Sequence, residues 1–158
     1  MKQRPFHETV PLADMTDEQW ESLCDGCGRC CLHKLEDDAS GDIHYSDVAC
    51  QLLDTATCRC QDYAHRTQRV PGCVAMSPRN FDALRFLPVS CAYRRLHEGR
   101  PLASWHPLVS GRTDSVAEAG ISVRHQAISE VHVAVADIQH RLRPDIEWRP
   151  LDNPLDTK

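Results

Sequence analysis

Nine cysteines stand at positions 24, 27, 30, 31, 50, 58, 60, 73 and 91 of a 158-residue chain. Four of them fall in the run Cys24-Asp25-Gly26-Cys27-Gly28-Arg29-Cys30-Cys31, and Cys50, Cys58, Cys60, Cys73 and Cys91 follow at wider intervals. A Cys-x2-Cys pair in a tight turn brings two sulfurs to one ion with a tetrahedral bite, and two glycines suit such a turn. Thiols that merely fill a core lie on the periodic face of a helix or strand. This Gly- and Asp-spaced cluster has no such period. The chemistry it points to is thiolate ligation of metal, with all nine cysteines as candidate ligands.

One four-thiolate site uses fewer than half of nine cysteines, so two ions per chain are expected. Neighbouring side chains in an extended or turning backbone diverge. Cys30 and Cys31 are therefore expected to serve different centres, one completing a site with Cys24 and Cys27. The other would draw on Cys50, Cys60 and Cys73, with Cys58 or Cys91 in reserve. Zinc held by four thiolates is closed and structural, while an iron–sulfur cluster takes four thiolates as well. Common ferredoxin runs separate the fourth cysteine and follow it with proline, whereas Cys30 and Cys31 abut and Leu32 follows. The spacing leans to zinc, with iron or an iron–sulfur cluster as the alternative cofactor.

Other candidate groups carry weaker signals. His33 and His44 could each replace a thiol in a three-cysteine, one-histidine site, although solvated strand histidines explain them as well. His106, between Trp105 and Pro107, reads as a packed corner rather than a catalytic base. Asp37, Asp38 and Asp42 lack the spacing of a calcium loop and read as a turn. No Cys/His nucleophile pair can be assigned, because each clustered cysteine is better used as a ligand.

Hydrophobic residues make up 41% and charged residues 26% of the chain, with nine aromatics in all. That balance excludes a collagen, a coiled coil, a membrane bundle or a polybasic tail, and it predicts a thin core. The opening stretch has acidic residues where a secretory signal needs an apolar run, and the longest apolar run, Val131 to Ile138, is far too short to span a membrane. The expected location is therefore the reducing cytoplasm, where thiols bind metal rather than pair as disulfides. Charge is uneven. Residues 1–62 hold 13 acids against 5 bases, residues 63–112 hold 8 arginines against 2 acids, and residues 113–158 hold 8 acids against 5 bases. The arginine block could offset thiolate charge or meet an acidic protein partner. A nucleic-acid footprint would need a net basic domain, and the total is −5.

The elements that must position these groups are short. Thr16 with Gln19 forms a capping box that opens a helix through Trp20 to Leu23. Leu32–Glu36 and Ile43–Ser46 flank an Asp-, Ser- and Gly-rich turn, which predicts a β-hairpin. Ser77-Pro78 predicts a helix over Arg79 to Phe86, and Gly99 closes another over Cys91 to Glu98. Trp105 to Leu108 reads as extended or turning. A helical turn is expected over Ser115 to Ala119, then a strand at Ile121 to Val123. Alternating Val131, Val133 and Val135 suggest an extended piece before a helix around Asp137 to Leu142. Residues 144–158 read as a loose tail. With no linker or repeat, the expectation is one α+β domain over 1–158, short helices and a hairpin organised around cysteine-ligated metal, the ligands lying within 24–91.

The cluster Cys24-Asp25-Gly26-Cys27-Gly28-Arg29-Cys30-Cys31 resembles the signature of the CxxCxxCC cysteine-cluster proteins, the YkgJ/YcgN-like group named for zinc or iron chelation. The likeness is closest to the YcgN branch. It extends through Val48-Ala49-Cys50, Thr57-Cys58-Arg59-Cys60, Cys91-Ala92-Tyr93-Arg94, Trp105-His106-Pro107-Leu108 and Ile121-Ser122-Val123-Arg124. Cys50-Gln51-Leu52-Leu53 looks like the family's next element, Cys60-Gln61-Asp62-Tyr63 with Arg66 like the one after, and Cys73 like a further ligand. The chain departs from the family by lacking proline after Arg66, by a longer approach to Cys73, and by adding Cys58 and Cys91. The resemblance implies metal or iron–sulfur binding without a settled reaction. Larger proteins with a similar cluster, the flagellin lysine methylases, are enzymes, but this chain has no Gly-rich loop after a strand and no room for a second cofactor domain. Two alternatives stand beside simple chelation: an iron–sulfur redox protein or enzyme, and a zinc-stabilised module that meets a protein or RNA through residues 63–112.

Overall fold

The computed structural model describes residues 3–151. Its helices are α1 (Phe6–Thr9), α2 (Asp17–Ser22), α3 (Arg66–Arg69), α4 (Ala92–His97), α5 (Pro107–Ser110) and α6 (Ser115–Glu118). Its strands are β1 (Leu32–Glu36), β2 (Ile43–Ala49), β3 (Leu53–Asp54), β4 (Arg59–Cys60) and β5 (Ile128–Ser129). Helices this short have no stability of their own and exist only where tertiary packing holds them. No helix among the described residues is long and apolar enough to cross a membrane.

The frame is a three-stranded sheet of order β1-β2-β5. β1 and β2 form the expected hairpin, with Glu36 opposite Ile43 and Leu32 opposite Ala49, and a bulge between Leu32 and Lys34. Its turn is set by Asp37, whose Oδ1 accepts from the amides of Ala39 and Ser40 at 2.9 Å each. β5 lies parallel to the end of β2, Val48 beside Ile128. A second small ladder pairs Leu53 of β3 with Cys60 of β4.

Two apolar clusters flank the cysteines. Leu32, Ile43, Tyr45, Ala49, Leu53, Val123 and Ile146 pack on the sheet, and Met15, Leu23, Ala92 and Leu102 pack around α2 and α4. The capping box forms: Thr16 Oγ1 accepts from the Gln19 amide at 3.1 Å, and Gln19 Oε1 from the Thr16 amide at 3.0 Å. It starts a helix that buries Trp20.

Several local expectations fail because nearby polar groups offer other bonds. Ser77 does not start a helix. It closes a turn with Asn80, and Asn80 Oδ1 accepts from the Asp82 amide at 3.0 Å, so only Asp82–Phe86 winds, as a 3-10 turn. Ile121–Val123 is not a strand, since its amides turn back to Val116 and Cys27. Trp105–Leu108 takes the turning one of its two readings: Pro107 starts α5 and the His106 ring caps it. The Val131–Val135 alternation is not a strand either. Ser129 caps a 3-10 turn over Glu130–His132, leaving Val131 65% and Val135 86% exposed. The chain from Pro144 to Leu151 does not fray. Ile146 is buried, and the Arg94 guanidinium donates to the carbonyls of Arg149 and Pro150. The rest of the expected tail, residues 152–158, lies outside the described residues.

Candidate metal centre

The cysteine run begins where α2 ends. Leu23 is fully buried, and its carbonyl accepts from His106 Nε2 at 2.7 Å. His106 Nδ1 accepts from the Leu108 amide at 3.0 Å, so both ring nitrogens are spent on backbone. His106 is thus a packed corner that pins the residue before Cys24. The chain then turns through Gly26 at φ 74° and Gly28 at φ 78°. Asp25 Oδ1 accepts from the Cys27 amide at 3.0 Å, and the Arg29 amide points at Cys27 Sγ from 3.4 Å. Gly28 is obligatory for a second reason: a Cβ there would lie 2.4 Å from Cys58 Sγ and 2.7 Å from Val123 Cγ2.

A single 3-10 turn, Arg29–Cys31, carries the adjacent pair. Lys34 supports it by donating from Nζ to the carbonyls of Cys30 at 2.8 Å and Leu32 at 3.0 Å. Burial lowers the Lys34 pKa, and the thiols of Cys30, Cys31, Cys73 and Cys50 oppose that fall. Sequence reading missed this residue. The available signal was that Lys34 is the only lysine between Lys2 and Lys158 and follows Cys30 by one helical turn.

The thiols fall into two electrostatic neighbourhoods that meet at this pair. Burial pushes Cys24 up to about 12, with the charge of Cys30 the next cause. Burial, Asp25 and Cys30 raise Cys27, and burial then Cys30 and Cys24 raise Cys91. On the other side, Cys31 is raised by its hydrogen bond with Cys30, by burial, and by the charges of Cys30, Cys50 and Cys73. Burial raises Cys50, with Glu130 and Cys60 adding to it. Burial also raises Cys73, against which Arg66 acts, while Cys30, Cys50 and Cys60 push further up. The Cys30 and Cys31 thiols hydrogen-bond to each other, which lowers Cys30. Both sit on one 3-10 turn, which rotates successive side chains by about 120° instead of sending them to opposite faces as a strand does.

Backbone bonds fix the same arrangement. The Cys50 amide donates to the Cys31 carbonyl at 2.8 Å, and the β3–β4 ladder carries Cys60. Cys91 precedes Ala92, which packs with Leu23 just before Cys24. Cys58 differs from the rest. It is buried at φ 61°, packs over Gly28 and donates from Sγ to the Cys27 carbonyl at 3.3 Å. Among the described residues no three Cys, His, Asp or Glu side chains already converge on one point that could hold an ion. The donor set itself fits a thiophilic ion such as zinc or iron and not a hard, oxygen-seeking one.

The histidines are used elsewhere. His33 Nε2 meets Glu130 Oε2 at 3.0 Å, and that carboxylate also accepts from the Gln51 amide at 3.0 Å, while His44 is exposed. The arginine block is largely spent inside the fold rather than on the thiols. Arg94 is fully buried on carbonyls, Arg100 pairs with Glu98 at 2.5 Å, Arg95 donates to Pro101 and Arg66 stacks on Tyr63. The cations near sulfur are instead Lys34, Arg59 and, from the block, Arg66.

This geometry defines a small α+β protein whose first half is built around clustered thiols. A family model described as "CxxCxxCC: Putative zinc- or iron-chelating domain" matches residues 23–92. A UPF0260 protein of Gluconacetobacter diazotrophicus is 59% identical over 80% of this chain and 79% of its own length. One from Parvibaculum lavamentivorans is 47% identical over 96% of this chain and 97% of its own, and one from Rhizorhabdus wittichii is 52% identical over 88% and 94%. The chain belongs to the UPF0260 family. No solved structure gives a significant match.

Proposed function

We propose that the chain binds two thiophilic metal ions. Cys24, Cys27, Cys30 and Cys91 hold one, and Cys31, Cys50, Cys60 and Cys73 hold the other. Cys58 stays in the core. The observation that supports this grouping is the bond from the Cys50 amide to the Cys31 carbonyl, which sets Cys50 beside Cys31, while Cys30 shares the same 3-10 turn and follows the Cys24–Cys27 loop. Zinc is the ion favoured by the abutting Cys30–Cys31 spacing, and iron the alternative. Bound zinc would act as a closed structural centre. Within the wider group the YcgN branch is the nearest by the segments between Val48 and Arg124, and the cytoplasm is the compartment that keeps such thiols reduced.

The internal use of the arginine block favours chelation over a basic docking module. One observation favours a redox or enzymatic centre as the second reading: although its sulfur is crowded, Cys24 as a residue is exposed and lines a cleft, so the first site lies next to open space. Separate Cys30→Ser and Cys31→Ser proteins, reconstituted with cobalt, test the grouping. Each should keep one tetrahedral thiolate centre and lose the other, with different residual spectra. Loss of both centres from either variant, or identical residual spectra from the two, would contradict it.

A further inference from the structure

A cleft of about 250 Å³ opens beside the Cys24–Gly26 turn, between the end of the β3–β4 ladder and α6. Its size is just below the usual range of about 300–1,000 Å³ for small-molecule sites, enough for a ligand of amino-acid size. Arg59 and Arg124 line it, and both are exposed. Among the described residues neither guanidinium donates a hydrogen bond or forms an ion pair, in contrast to Arg29, Arg94, Arg141 and Arg143. Arg59 reaches across Gly26, where a Cβ would stand in ordinary van der Waals contact with Nη1 at 3.8 Å. Two carboxylates share the lining. Asp25 accepts from the Cys27 amide through Oδ1, while the Asp114 carboxylate has no hydrogen-bond or ion-pair partner among the described residues.

The charged side chains without a bonded partner are therefore two guanidiniums and one carboxylate lining a single small cleft, and the Asp25 carboxylate, held by its backbone bond, is a fourth charge there. We propose that this cleft binds a small amino dicarboxylate, a molecule with two carboxylates and one ammonium. Arg59 and Arg124 take the carboxylates, and Asp114 takes the ammonium. A guanidinium suits this task because it offers a planar fork of donors that stays charged. Cys24 forms part of the same wall, so a thiol-bearing ligand of this class would lie against the outermost thiol of the first cysteine set. That last point rests on the proposed function; the charge pairing does not.

Amide NMR of the full-length protein as purified, titrated with S-methylglutathione, tests the charge pairing, because the methylated sulfur removes the thiolate that would compete for metal. Saturable shifts at Gly26, Arg59 and Arg124 with a sub-millimolar Kd are expected. An Arg59→Gln/Arg124→Gln protein should bind at least about tenfold more weakly, since two charge-assisted contacts are lost. Asp114→Asn should weaken S-methylglutathione but leave glutarate, which has no ammonium, unaffected. All three side chains are exposed and outside both apolar clusters, so the variants should fold, which the unperturbed remainder of the spectrum verifies. No saturable shift up to 10-millimolar-scale probe, shifts that map away from the cleft, or equal effects of Asp114→Asn on both probes would overturn the assignment. None of these outcomes depends on the metal content, which is measured separately.

Discussion

The three-stranded sheet and the excursion from Gln61 to Ala83 are held by different means. In the sheet, Leu32, Tyr45, Val48 and Ala49 expose at most 2% of their surface, and each removes apolar area from water. From Gln61 to Ala83 no residue is buried. That stretch relies on local bonds, such as Asp62 with His65 and Arg69, and on two contacts to α2: Phe81 stacks on Trp20 at 5.8 Å, and Tyr63 donates to Glu21 at 2.6 Å. A segment that buries so little cannot offset the entropy of ordering its chain by apolar contact. Cys60 just before it, Cys73 within it and Cys91 beyond it are the groups that could supply the difference. The frame is built by burial, and under the proposed ligation the excursion would depend on its thiols.

Metal removal should break that contrast most visibly. Stripping the ions with a strong chelator under reducing conditions should speed tryptic cleavage after Arg66, Arg69 and Arg79 by about 100-fold or more, because local opening there no longer competes with ligation. Cleavage after Lys34, inside the hairpin, should lag well behind. Mass-mapped cleavage spread evenly over the chain would show that the two regions open together.

The frame side is tested by Gly28→Ala, read by urea unfolding. A side chain at φ 78° must also displace Cys58 or Val123, so a loss of about 2–4 kcal/mol is expected from backbone strain and overpacking together. Cys58→Ala removes a buried thiol and its bond to the Cys27 carbonyl and should cost about 1–2 kcal/mol. It should nevertheless retain both ions, whereas Cys91→Ala should lose one. Metal analysis of the two variants side by side checks this. The smallest effect is expected at Val135→Thr, within about 0.5 kcal/mol of wild type, since that side chain is 86% exposed.

What could be read from the sequence was whatever a few neighbouring residues decide. Thr16 with Gln19, the Asp37–Asp42 turn, the Gly99 stop after α4 and the short helix before Gly120 all formed where local chemistry placed them. Misreadings came where a single nearby acceptor redirected the backbone, as Asn80 did for the expected helix after Pro78 and Ser129 for the valine alternation. The packed stretch to Leu151 was illegible for another reason. Its order comes from Arg94, more than fifty residues away, through carbonyls that carry no sequence signal. Likewise the nine thiols were plain from their spacing, but Lys34 beneath Cys30 and Glu130 beside Cys50 depend on the hairpin bulge and on the parallel pairing of β5.

Tertiary ties also join the two halves of the chain. The cysteine-free part of the chain is stitched to the thiol-bearing part by Val123 to Cys27 at 2.9 Å, Arg29 to Ile121 at 2.9 Å and the β2–β5 pairing. It is therefore not expected to keep its structure independently once the frame is lost.

The central claim, that the clustered thiols hold two metal ions, is tested most directly by metal and thiol analysis of anaerobically purified protein. About two zinc ions per chain, or iron with matching labile sulfide, are expected, with most cysteines protected from a thiol reagent until the protein is denatured. Trace metal only, with all nine cysteines titrating freely in the native protein, would contradict it.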